Sequence, residues 1–288
     1  MPEHDQAACV RLEREAGIAC ISLDRPAARN SLDLPMGLAL RDAVRSLAAE
    51  PPRVVVLRSS GAHFMVGGDV RRFDILLGQS QAACTEETGL LIDAVHEAVT
   101  GLTRLPCPVL GLVCGSAAGF GMSLAMACDL LVAADDARFV LAYGAIGTTP
   151  DGGASWHLPR RVGLQRALAI ALLNPQIDAA QAKDIGLVAE VVPAAQLAEA
   201  GRALARRLAD GPAAAQAGVK RLLREGLATD LASALAAEKA SFLAMSATAD
   251  FAEGVRAFCE RRPARFGQPE KLAAGAAPTA PQGVHHPL

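Results

Sequence analysis

Two glycine turns carry the clearest chemistry in the chain: Gly67-Gly68-Asp69, after the apolar run Arg53-Val54-Val55-Val56-Leu57, and Gly119-Phe120-Gly121, after Pro108-Val109-Leu110-Gly111-Leu112-Val113. Each leads from a strand pattern into a helix pattern. Glycine lets backbones approach closely and adopt positive φ, and a helix start leaves N–H donors unsatisfied at the positive end of its dipole. Two such turns aimed at one point suit a carbonyl oxygen that gains negative charge, so the pair reads as an oxyanion hole. One donor of that kind is worth about 2.7 to 4 kcal/mol of transition-state stabilisation.

The elements that must position these turns follow from periodicity. Residues 8 to 13 and 17 to 23 read as a hairpin, and Asp24-Arg25-Pro26 ends it. Leu34, Leu38, Arg41, Val44 and Leu47 fall at helical spacing up to Pro51-Pro52. A strand over 53 to 59, a helical region over 69 to 104, a strand over 108 to 113 and a helix over 120 to 127 repeat a strand-turn-helix theme. Continuous apolar strands such as Val54 to Leu57 and Leu130 to Ala133 belong in sheets covered by helices, which predicts an α/β core. Past Pro193 the pattern is helical, over 194 to 209, 212 to 226, 230 to 245 and 248 to 262. The expected organisation is a core over 1–193, a helical region over 194–268 and a disordered tail over 269–288, where Ala, Gly and Pro prevail.

Composition sets the bounds. The 288 residues suffice for one extensive core. The net charge of −2 and an aromatic share of 3% supply neither a basic field nor stacking platforms, so nucleic acid is excluded as an expected partner. Seven cysteines without a C-x-x-C pair fit a reducing cytosol. No secretory pattern opens the chain and no apolar run reaches the roughly 18 residues of a membrane span. The expectation is a cytoplasmic protein that does not enter membranes. His63, His285 and His286 show no metal spacing.

Several runs together resemble the crotonase superfamily, the enoyl-CoA hydratase/isomerase family. These are Leu23-Asp24-Arg25-Pro26-Ala27-Ala28-Arg29-Asn30-Ser31-Leu32, the stretch from Gly61 to Val70, the stretch from Gly115 to Asp129, the stretch from Ile146 to Ser155, and Ala182-Lys183-Asp184-Ile185-Gly186-Leu187-Val188. The likeness spans about residues 8 to 266. It implies a spiral of strand-strand-helix units with a C-terminal helical region that builds trimers, often paired into hexamers. It also implies an acyl-CoA substrate, with coenzyme A as part of the thioester and no tightly bound cofactor. By the same resemblance the Gly68 and Phe120 amides hold the thioester oxygen. Arg25, Ala27, Ala28 and Arg29 wrap the nucleotide end, and Val66, Gly67 and Asp69 complete the binding turn. Asp69 is expected to fix that turn rather than move protons.

Hydratases of the family use two glutamates, and here those positions match Ser123 and Tyr143. Ser123 lacks the context of a nucleophilic serine. Asp151, in Pro150-Asp151-Gly152-Gly153, resembles the single aspartate of isomerase members, which moves a proton between two carbons of an enoyl thioester. Alternatively it caps a helix beginning near Gly152. Asp151, His96 and Tyr143 together also resemble the set of the aryl-CoA dehalogenases, in which the histidine activates water and an aromatic residue orients the aspartate. His96 is equally readable as an ordinary helix histidine. Isomerase is the first expectation; a hydratase, a dehalogenase and a noncatalytic acyl-CoA-binding scaffold are the others.

Overall fold

The structure is a computed structural model, and it describes residues 9–267. The expected tail over 269–288 lies outside the described residues. The chain opens with the antiparallel hairpin β1 (Val10–Glu15) and β2 (Ile18–Leu23) around Ala16 and Gly17, both at positive φ. Strand β2 then pairs in parallel with β3 (Val54–Ser59), and β4 (Val109–Val113), β6 (Leu130–Ala134) and β9 (Glu190–Val192) continue the parallel sheet in the order β1-β2-β3-β4-β6-β9.

Side chains alternate across a strand, and here both faces are apolar. Ile21, Leu23, Val55, Leu57, Val109, Val113, Leu131 and Ala133 face one buried cluster. Val54, Val56, Leu110, Leu112 and Val132 face a second, closed by Leu197, Ala205 and Ala209 of α8 (Leu197–Ala209). On the first face lies α1 (Leu34–Ala49), capped by Asp33. Its buried stripe is Met36, Leu40, Val44 and Leu47, whereas Leu34 and Leu38 are only half-buried, so the true face is rotated from the one the spacing suggested.

The region over 69 to 104 is two helices, α2 (Val70–Gln79) and α3 (Gln81–Arg104). Ser80 breaks it. Its backbone is extended, its N–H closes α2 on Leu76 O, and its Oγ accepts from Ala83 N to start α3.

A small second sheet takes over where the main strands end. Its strands are β5 (Ser116–Ala118), β7 (Arg138–Val140) and β8 (Ile177–Asp178), in that order. The chain thus runs β4, β5, then α4 (Phe120–Ala127), and again β6, β7, then the turn at Tyr143–Ile146, loop 147–153 and α5 (Ala154–Val162). Both site-bearing segments follow strands of the second sheet. The helices α9 (Ala213–Gly226), α10 (Leu231–Ser246) and α11 (Ala249–Cys259) follow α8 and leave large apolar side chains exposed, among them Leu223, Leu231, Phe242 and Phe258. Among the described residues no helix is long and apolar enough to cross a membrane.

A polar node fastens α9 to the core. Asp129 accepts from Val109 N at 2.8 Å and pairs with Lys220 Nζ at 2.7 Å and an Arg224 guanidinium nitrogen at 2.6 Å. Lys220 is almost wholly buried and also donates to Cys107 O at 3.0 Å. Removing the anion strands two cations in a site of restricted solvent, so Asp129→Asn is expected to lower the unfolding free energy by about 3 kcal/mol, measured by urea denaturation. Beside this node sits His157, buried in α5; burial first, then the Arg161, Arg224 and Arg160 charges, pushes its imidazole down from 6.5 to about 4. Between those values the unfolded chain binds the extra proton, so this contribution is present above pH 6.5 and is lost as pH falls towards 4. The expected loss is up to about 3 kcal/mol, read from denaturation curves across that window, and His157→Gln should flatten it.

Candidate active site

The Gly67-Gly68-Asp69 turn is pinned by Leu32, whose N–H donates to Gly67 O and whose carbonyl accepts from Asp69 N, both at 2.8 Å. That pairing leaves out the Gly68 N–H. At the other turn, Gly119 N donates to Val140 O, and Gly119 O accepts from the Met122 and Ser123 N–H groups that start α4. Phe120 is the first residue of that helix, so its N–H has no intrahelical acceptor. Among the described residues neither the Gly68 nor the Phe120 N–H has a hydrogen-bond acceptor.

The two turns abut. Met65 N donates to Ser116 O and Ala118 N to Met65 O, which draws both segments together. A Cβ on Gly67, at φ +92°, would stand 3.0 Å from Ala118 O and 3.5 Å from Gly119 Cα. One on Gly119, at φ +52°, would stand 3.4 Å from Gly67 Cα. Each donor amide is therefore one residue beyond a glycine-to-glycine contact.

The segment expected at the nucleotide end has two roles in the fold. Pro26–Ala28 forms a 3-10 turn in which Ala27 is exposed and Ala28 half-buried. The Arg25 guanidinium pairs with Asp33 at 3.1 Å and Asp69 at 3.6 Å and donates to Ser31 O, so it braces the Gly68 turn from behind. Arg29 is exposed and has no ion-pair partner among the described residues. Asp69 accepts from Arg72 N and Ser31 Oγ and caps α2, the turn-fixing role read from the sequence. Val66 is half-buried beside buried Gly67. Sequence reasoning missed Asn30, fully buried, whose side chain accepts from Arg25 N at 2.7 Å and donates to Ser60 O and His63 O. Its one sequence signal was its place in the Leu23-to-Leu32 run, between Arg29 and Ser31.

Asp151 is not a helix cap. The cap of α5 is Gly153, without a side-chain bond, and Asp151 Oδ1 instead accepts from the Tyr143 hydroxyl. Tyr143 Oη lies 2.9 Å from Ser123 Oγ, and Ser123 is fully buried. Gly152 N donates to His96 Nε2 at 3.3 Å, so His96, exposed on α3, touches the Asp151 loop and carries its own hydrogen on Nδ1. A Cβ on Gly152 would meet the Phe120 ring at 2.6 Å and Ser123 Cβ at 3.1 Å. The Asp151 loop thus lies on the first turn of α4, the helix whose leading amide is unpaired. The structure brings Phe120, Ser123, Tyr143, Asp151 and His96 together, with the Gly67-Gly68 turn against the same helix start. A cleft of about 770 Å³ between the outer face of β2 to β4 and α8 contains none of them.

The arrangement offers two free N–H donors and a carboxylate with one oxygen held by a phenol. Burial, then the adjacent Asp151 charge and its hydrogen bond, hold the Tyr143 phenol protonated far above the ordinary tyrosine range. Tyr143 is the sole tyrosine of the chain, which makes this directly measurable. Phenolate absorbance is expected to stay absent in the folded protein through pH 10, about where a free tyrosine is half ionised, and to rise only with alkaline unfolding.

The sequence profile of the family described as "Enoyl-CoA hydratase/isomerase" matches residues 13–269. A protein of Rhodobacter capsulatus named "probable enoyl-CoA hydratase" is 38% identical over 89% of this chain and 97% of its own. The "1,2-epoxyphenylacetyl-CoA isomerase" of Escherichia coli is 31% identical over 88% of this chain and 95% of its own. Among solved structures, an enoyl-CoA hydratase from Polaromonas sp. JS666 superposes with a TM-score of 0.82 at 30% identity, covering 89% of this chain and 99% of that one. The mixed α/β fold, its helical C-terminal region and these matches agree: the chain belongs to the enoyl-CoA hydratase/isomerase family, the crotonase superfamily, whose substrates are CoA thioesters.

Proposed function

We propose that the protein is an enoyl-CoA isomerase in which Asp151 moves the proton and the Gly68 and Phe120 amides hold the thioester oxygen. With a 3-enoyl thioester, the free oxygen of Asp151 takes a proton from C2. The electron pair of that C–H bond moves towards the thioester oxygen, giving a dienolate that the two amides stabilise. The carboxylic acid then returns the proton to C4 and the double bond closes between C2 and C3. No atom is gained or lost.

The single observation that carries this reading is the hydrogen-bonded set Ser123, Tyr143 and Asp151. The two positions that resemble the hydratase glutamates hold hydroxyls, and both hydroxyls are tied to each other and to the one carboxylate. A pair of carboxylates, one to take a proton from water and one to protonate the substrate carbon, has no counterpart in that set. The name of the Escherichia coli relative supports isomerisation, while that of the Rhodobacter relative keeps hydration as the second reading. His96 supports neither water activation nor dehalogenation from Nε2, because that lone pair faces the Gly152 amide. In this reading exposed Arg29 meets a CoA phosphate. Residues 1–193 hold the acyl-CoA site, and the exposed apolar faces of α9 to α11 join copies into a homotrimer or homohexamer. Seven cysteines without disulfides support a cytoplasmic setting.

The test uses trans-3-hexenoyl-CoA, trans-2-hexenoyl-CoA and 4-chlorobenzoyl-CoA, with products separated by chromatography and released halide measured. Double-bond migration is expected, and Asp151→Asn should lower kcat about 10²- to 10⁴-fold with little change in KM. Water addition to the 2-enoyl thioester as the dominant reaction, or halide release lost in His96→Ala, would overturn the assignment. So would an Asp151→Asn enzyme of unchanged turnover.

A further inference from the structure

We propose that Ser123 is a positioning residue for Asp151, acting through Tyr143 by setting the direction of its hydroxyl hydrogen; the proposal deepens the isomerase reading above.

A carboxylate only accepts, so the Tyr143 hydroxyl spends its one hydrogen on Asp151 Oδ1. The phenol oxygen then has lone pairs to satisfy in a buried position, and Ser123 Oγ, 2.9 Å away, is the donor at hand. Ser123 has a competing acceptor in Gly119 O, four residues back at the cap of α4 and 3.4 Å distant. That back-bond is the usual fate of a serine inside a helix. Here the shorter contact is the one to Tyr143, and Ser123 has no exposed surface through which water could substitute. The chain of donation runs Ser123 to Tyr143 to Asp151, and each donor polarises the next.

The consequence is geometric. Ser123 stands three residues after Phe120 on the same buried helix, about 4.5 Å along its axis. One end of that helical turn presents the amide for the thioester oxygen, and the other fixes the proton-moving carboxylate through a single phenol. Charge and acid are thereby held at a set separation by one rigid turn. Gly152 also confines Asp151, since its backbone sits against the Ser123 Cβ and the Phe120 ring. With Oδ1 committed to Tyr143, Oδ2 is the oxygen left for the substrate.

The experiment has two arms, on the full chain. In the first, tyrosine labelled with carbon-13 at the ring carbon bearing the hydroxyl gives one signal, because Tyr143 is the only tyrosine. That signal is expected to move in Asp151→Asn and also in Ser123→Ala, with no substrate present. In the second, kcat on trans-3-hexenoyl-CoA is expected to fall roughly 10-fold in Ser123→Ala at unchanged KM, as for loss of one hydrogen bond to a network ending in a charge. Ser123→Ala added to Tyr143→Phe should cost nothing further. Ser123→Cys, close in volume and weak as a donor, serves where the alanine variant loses its thermal transition. An unmoved tyrosine signal in the serine variants overturns the proposal, as does a full 10-fold loss retained in the Tyr143→Phe background, which would mark Ser123 as packing alone. Should Asp151→Asn leave turnover intact, the isomerase reading falls, and the labelled-tyrosine arm still decides the role of Ser123.

Discussion

The contact on which the site depends is the approach of two glycine backbones, Gly67 and Gly119. A side chain on either residue would press into the other turn, at 3.0 Å from Ala118 O in one case and 3.4 Å from Gly67 Cα in the other. Both residues also sit at positive φ, where a side chain adds strain. Everything behind the turns maintains this approach. Leu32 pins the first turn through two backbone bonds, Val140 holds the second through Gly119 N, and Met65 bridges between them. Arg25 and Asn30 lock the residue-30 segment to residues 60, 63 and 69, so the first turn is braced through Asp69. The outcome is two amides without acceptors among the described residues, flanked by Asp69 and Gly119 N–H groups that are paired, and such unpaired donors hold their strength for an incoming oxygen.

The acid is treated in the opposite way. Asp151 follows a turn whose strand, β7, is three residues long, and it precedes two glycines at positive φ. Backbone geometry alone gives such a residue little definition. Tyr143 supplies it from one side through Oδ1, and His96 from the other through the Gly152 amide. Burial and the neighbouring charge hold the phenol protonated well above the ordinary tyrosine range, so beside a carboxylate it acts as the donor. The carboxylate keeps one oxygen in a fixed bond and one oxygen available, which suits a group that must take and return a single proton.

The long apolar strands, the two glycine turns and the C-terminal helices were legible because each is a local pattern. Val54 to Leu57 and Leu130 to Ala133 read as covered strands and are such; α9, α10 and α11 lie within a few residues of their expected ends. What escaped was short or non-local. Strands β5, β7 and β8 have two or three residues, too few for any periodicity to register. The break at Ser80 rests on one residue with an extended backbone in otherwise helix-favouring text. The stripe of α1 was misplaced because Leu34, Leu38 and Met36 are equally apolar, and packing against α3 chooses between them. Ser123 and Tyr143 were recognised separately, as positions without glutamate. Their contact, twenty residues apart, is a property of the fold that no spacing announces.

Helix α4 ties these observations into one device. All eight of its residues are buried, and its two ends are handled unequally. At the C-terminal end Arg161 donates to Met126 O and Cys128 O, so carbonyls that a helix leaves orphaned are satisfied by a guanidinium in a nearly closed site. Burial pushes that guanidinium down from its ordinary value, yet arginine holds its proton under such conditions, and its charge complements the negative end of the helix. At the N-terminal end no side chain caps the helix, and the positive end of the dipole is left uncompensated. Arg161 belongs to α5, the helix that begins directly after the Asp151 loop. Gly152, in the loop before it, meets Phe120 and Ser123 at the start of α4, and Arg161 near its end meets the carbonyls at the other end of α4. The segment that carries Asp151 and the helix whose leading amide is unpaired are held together by Arg161 at one end and by the contacts of Tyr143 with Ser123 and Gly152 with Phe120 at the other.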